Sequence, residues 1–154
     1  MIAKKQLFRH RPHLGEIGDC HRTAIACLLD LDPQEVPHFG EMDWDFEQQR
    51  FRENGDFHRH VSDWLRTRGL ATVDSVYSCT LEELLTHLGR VNPNAYYLLG
   101  GESRTGVNHT VIGCGGEIVW DPGIDNPGII GPTKPDGLYW VTYLVPLSLM
   151  REAA

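Results

Sequence analysis

Apolar residues recur at helical spacing through Ala24, Leu28 and Leu31, just behind Asp19, an aspartate suited to N-capping. That pattern predicts a helix over residues 20–31, ended by Asp32-Pro33, then one short turn over 33–36 closed by Pro37. A second helix is expected over 57–68, with Val61, Trp64 and Leu65 inward and Gly69 as its C-cap. Thr80-Leu81-Glu82-Glu83 is a capping box, in which threonine oxygen and glutamate carboxylate each accept a helix-end amide. It opens a third helix to Leu88, stopped by Gly89. Beyond Pro93 the pattern becomes strand-like, alternating or running apolar over 95–99, 108–114, 117–120 and 138–145. Gly115-Gly116 makes a tight hairpin between the middle two. The polar stretch 43–54, with Trp44, Phe46 and Phe51, fits a helix or an irregular loop equally well. Helices followed by an antiparallel sheet make an α+β layout, and no repeat or low-complexity linker divides it, so residues 1–154 are expected to form a single domain.

Composition narrows the function classes. A chain of 154 residues can bury a core without staples. Its net charge of −7 argues against nucleic acid or an anionic membrane as partner, because both reward clustered Lys and Arg. The basic segment Lys4, Lys5, Arg9, Arg11 is too short to overturn that. No apolar run approaches the roughly 20 residues of a membrane-spanning helix, and the N-terminus shows no secretory apolar region. Cys20, Cys27, Cys79 and Cys114 are scattered, with no C-x-x-C pair, as expected for reduced thiols in the cytoplasm.

Chemistry concentrates at three positions. Cys20 follows Gly18-Asp19 at a helix start, where unpaired amides and the positive end of the helix dipole favour a thiolate. Cys27, amid Ala26, Leu28 and Leu29, is the contrasting case of a cysteine acting as a small core hydrophobe. His109 lies in an apolar strand behind the glycine-rich stretch 100–106, and Asp121 ends the next strand of the hairpin. A lone strand histidine is commonly structural and Asp-Pro is an ordinary strand stop; it is the partnership with Cys20 that gives both a role as base and orienting group. His10, His13, Cys20 and His21 lack the spacing of common zinc sites, and no metal or cofactor is expected.

Three segments carry a resemblance. They are Gly18-Asp19-Cys20 through Leu29, then Glu35-Val36-Pro37-His38-Phe39, then Gly101-Glu102-Ser103-Arg104-Thr105-Gly106 through Gly113 with Asp121-Pro122 after it. With these the chain resembles a family of short bacterial or phage-encoded proteins of the papain-like cysteine peptidase superfamily. The match covers the start and end of the chain and hardly touches residues 40–91. It implies a papain-like fold with Cys20 as nucleophile, His109 as general base and Asp121 as orienter. Papain-like enzymes usually place a glutamine a few residues before the nucleophile as an oxyanion donor. Here Leu14, Gly15, Glu16 and Ile17 stand there, which leaves His13 or Gln6 to supply that donor.

The leading expectation is therefore a cysteine peptidase or amidase acting on a peptide or protein substrate. Asp19, beside the nucleophile, and Glu102, Ser103 and Arg104, in a mobile loop before the base, are the expected substrate contacts. The alternatives are a cell-wall amidopeptidase and a non-catalytic binding or inhibitory protein built on the same scaffold.

Overall fold

The computed structural model describes residues 1–53 and 55–151. Among them are four α-helices, α1 (Cys20–Leu28), α2 (Phe39–Met42), α3 (Phe57–Arg66) and α4 (Leu81–Val91). The strands are β1 (Trp44–Asp45), β2 (Arg50–Phe51), β3 (Leu70–Tyr77), β4 (Tyr96–Glu102), β5 (Asn108–Cys114), β6 (Glu117–Trp120) and β7 (Tyr139–Pro146). β1 and β2 pair as a small hairpin, and the other five form an antiparallel sheet in the order β3-β7-β4-β5-β6. The architecture is α+β. No helix among the described residues is long and apolar enough to cross a membrane.

Alternation along the strands divides the core into two layers. Leu98 and Ile112 pack against α1 and α3 through Ile25, Val61 and Leu65. Tyr97, Leu99, Val111 and Val141 point the other way, onto Leu84 and Leu88 of α4. The sheet is thus covered on both faces, and α1 is held against β4 and β5.

Several boundaries differ from those expected. Helix α1 ends at Leu28, three residues early, because Asp30 adopts a left-handed conformation (φ 56°). The Leu31 and Asp30 amides then donate to the Ala26 and Cys27 carbonyls, a Schellman closure built on aspartate instead of glycine. Helix α4 runs through Gly89, whose missing side chain admits Gly116: a Cβ there would stand 3.1 Å from the Gly116 Cα. The stretch 43–54 holds the β1–β2 hairpin, with Asn54 outside the described residues. Strand β3, between α3 and α4, has no counterpart in the expected layout. It borders the sheet, and of its residues only Ala71 is buried, so its apolar pattern is faint.

The glycine-rich stretch before His109 is strand in its first three residues and turn beyond them. Gly100–Glu102 belong to β4, with Gly101 paired to His109. Glycine is required at 101 because the returning chain passes over it: a Cβ would lie 2.5 Å from Ile129 Cγ2 and 2.7 Å from the Gly131 carbonyl oxygen.

Candidate active site

Cys20 is the first residue of α1 and is half-buried on the wall of a cleft of about 1020 Å³. Asp19 occupies the N-cap position, yet its side chain does not cap the helix. The first amides of α1, which a helix leaves without internal acceptors, therefore receive nothing from it.

His109, the second residue of β5, is buried and lines the same cleft. Its Nε2 donates to Asp121 Oδ1 over 2.7 Å, which leaves Nδ1 for a second partner, and Cys20 on the wall of the same cleft is close enough to act on the ring electrostatically. Burial alone would push this imidazole down. The hydrogen bond to Asp121, the proximity of Cys20 and the negative charge of Asp121 reverse that, and the pKa is raised to about 9.

Asp121 directly follows β6 and is fixed from three sides. Besides the bond from His109, its Oδ1 accepts the Gly123 amide (2.7 Å) and its Oδ2 the Gly128 amide (2.8 Å). Burial works to raise its pKa, but these bonds and the imidazolium charge outweigh it and hold the carboxyl below its ordinary value. The residues expected as nucleophile, base and orienter thus converge in space: Cys20 from a helix start, His109 from a strand, Asp121 from the turn that follows the next strand.

The expected substrate contacts fare differently. The Asp19 carboxylate is covered completely: it pairs with Arg22 Nε (2.9 Å) and accepts the amides of Leu7 (3.3 Å) and Phe8 (2.9 Å), leaving no surface for a ligand. Ser103 borders the cleft but is 0% exposed, its hydroxyl donating to the Val107 carbonyl and sharing a bond with Thr105 Oγ1. Glu102 lies outside the cleft lining and pairs with Lys134 Nζ at 2.7 Å. Arg104 also lies outside it, donating through its guanidinium to the Asn126 carbonyl, where it braces the segment after Asp121. The partners come from different places: Asp19 is closed over by residues 7 and 8 and by Arg22, Ser103 by its own turn, Glu102 by Lys134, and Arg104 by the segment after Asp121. Of the two residues considered for the oxyanion donor, Gln6 lines the cleft and His13 does not.

The cleft contains residues that sequence reasoning passed over. His21 bonds Thr110 Oγ1 through Nδ1 (3.2 Å) and packs edge-on to Phe57. Burial first, then the charge of His58, lowers its pKa to about 4 against the opposing pull of Asp74, so it is neutral at neutral pH. His58, exposed on α3, stacks on Trp140 with ring centroids 5.7 Å apart. Trp140 donates to Asp136 (2.8 Å), and Thr142 bonds Asp74 (2.5 Å). Trp140 and Thr142 share a sheet face by alternation in β7, a signal present in the sequence. Arg9, Arg11, Arg50 and Arg52 also line the cleft. Among the described residues, no group of three His, Cys, Asp or Glu side chains is arranged to hold a metal ion.

Comparison with known proteins identifies no relative: no protein-family model, no curated protein and no solved structure matches the chain.

Proposed function

We propose that this protein is a cysteine hydrolase of papain-like type, a peptidase or amidase using Cys20, His109 and Asp121. The observation that carries the reading is the buried His109 ring, on the same cleft wall as Cys20 and bonded to an Asp121 carboxylate that three donors hold in place. A helix start supplying the sulfur and an antiparallel sheet supplying the imidazole fit the papain-like layout. The cleft, at the upper end of the range for small-molecule pockets, suits a peptide segment.

In this mechanism His109 holds the proton and the Cys20 sulfur attacks the substrate carbonyl, forming a C–S bond as the carbonyl oxygen takes up negative charge. The Cys20 amide, uncapped at the start of α1, donates to that oxyanion. Gln6 is the candidate for the second donor. Its Nε2 gives one hydrogen to the Phe8 carbonyl (2.7 Å), and an amide nitrogen carries two. His109 then protonates the leaving amine, the C–N bond breaks, and a thioester remains. Water, deprotonated by His109, attacks the thioester and releases the acid and the thiol.

A library of fluorogenic peptide amides tests the reading. Turnover by the native chain should vanish in Cys20→Ala, while folding stability changes by no more than about 0.5 kcal/mol, since a half-buried thiol at a cleft wall contributes little packing. Hydrolysis that survives Cys20→Ala would place the activity elsewhere.

A further inference from the structure

Residues 4–8 form no regular structure, yet six of their ten backbone N–H and C=O groups are hydrogen-bonded. The Lys4 amide donates to Cys27 Sγ (3.2 Å) near the end of α1, and the Lys4 carbonyl accepts Trp120 Nε1 (2.7 Å) at the end of β6. The Gln6 amide donates to the Pro122 carbonyl (2.8 Å). The Leu7 and Phe8 amides reach the Asp19 carboxylate, one residue before the nucleophile. The segment is a strap between the helix that carries Cys20 and the turn that carries Asp121.

Lys5 is its centre. The ammonium lies 4.8 Å from the centroid of the Trp120 ring and donates to the Asp121 carbonyl (2.7 Å), the Gly123 carbonyl (2.7 Å) and Asn126 Oδ1 (2.5 Å). An ammonium has three hydrogens, and here each has an acceptor. Asp121 is therefore gripped at both ends, with Lys5 on its backbone oxygen and the Gly123 and Gly128 amides and His109 on its carboxylate. Three converging oxygens need a compact cation. Without one they repel or turn to water, and the turn is free to relax.

We propose that Lys5 is a positioning residue of the triad: by binding the Asp121 and Gly123 carbonyls it fixes the turn that presents the Asp121 carboxylate to His109. The inference rests on the triad reading above, and it explains why a half-buried lysine from the start of the chain is ringed by oxygens next to the site. The charged groups bordering His109 are Cys20 from α1 and Asp121 from the turn; those bordering Lys5 include Asp125, itself paired with Arg9.

The test is Lys5→Met in the full chain, which keeps an unbranched apolar stem against Trp120 and removes the three donors. Two readouts are taken: steady-state kinetics, and the NMR signal of the His109 Nε2 proton held by Asp121. The expected result is a kcat about tenfold lower or worse, with KM within about twofold and the Nε2 proton exchanging too fast to observe. Lys5→Arg, which retains the charge but presents a planar fork, should restore neither readout fully; complete restoration would reduce the effect to charge alone and overturn the positioning role. So would a native Nε2 signal in Lys5→Met, or a fall in kcat that only tracks the fraction unfolded. If Lys5→Met does not fold, Lys5→Gln is measured against the same criteria. The NMR readout needs no turnover, so failure of the lysine's role is distinguishable from failure of the hydrolase reading.

Discussion

At the scale of single residues, the charge of Asp121 is the feature on which the proposed role of His109 depends. Asp121→Asn keeps the shape and the capacity to accept a bond but removes the charge that helps hold the His109 proton. His109 should then fall from about 9 toward its ordinary value. In the proposed mechanism a proton on His109 expels the leaving amine, so the alkaline limb of kcat/KM should lie near 9 in the native chain and shift to lower pH in the variant. The accompanying loss in kcat should be on the order of 10²-fold, measured by steady-state kinetics across pH. The positions of Cys20, His109 and Asp121 were legible, as a helix start, the second residue of an apolar strand and a strand stop, and the bond between His109 and Asp121 follows from their places in one hairpin. Asp19 and Arg104 were misread because their partners, the amides of Leu7 and Phe8 and the Asn126 carbonyl, are set by segments without regular structure. Lys5 was passed over for the same reason, as one of a short run of basic residues.

At the scale of elements, the contact between β4 and the returning segment 129–131 carries the site. Glu102 and Gly131 form an isolated bridge, and the same segment leads from Gly128, whose amide holds Asp121 Oδ2. Gly101→Ala would drive a methyl into Ile129 and the Gly131 carbonyl. The expected cost is about 1–3 kcal/mol by chemical denaturation, together with a loss of kcat in the folded fraction because Gly128 shifts. A variant as stable and as active as the native chain would show that this segment does not position Asp121. Glycine was read as turn chemistry at 100–106 and as a helix stop at 89, whereas at 89 and 101 its role is to let another backbone approach. Capping signals and hydrophobic periodicity located the starts of α1, α3 and α4 and the whole of β5 and β6. Strand β3 escaped because Thr72, Asp74 and Ser75 leave it only a weak apolar alternation at the border of the sheet.

At the scale of the whole molecule, the site couples stability to pH. The folded-state pKa of His109, about 9, lies above the unfolded value of about 6.5. Its contribution to stability is fully present below about 6.5 and is lost as pH rises through about 9. Asp121 acts in the opposite sense: depressed in the folded state, it contributes above its ordinary value and loses that contribution as pH falls through its lowered one. Thermal melts of the native chain against His109→Gln should therefore show a stability difference that shrinks between about pH 6.5 and pH 9. A difference independent of pH would mean that His109 does not titrate with Asp121 and Cys20. The claim beneath all of this is that Cys20 is activated rather than merely present, and alkylation separates the two. Cys79 is exposed, Cys20 and Cys114 are half-buried, and Cys27 is buried. With iodoacetamide at about pH 6 and mass-spectrometric mapping, exposure alone would label Cys79 first, whereas a thiolate paired with an imidazolium labels Cys20 first. The triad predicts rapid, selective modification of Cys20 that disappears in His109→Ala. Labelling of Cys79 ahead of Cys20, unchanged in His109→Ala, would contradict it.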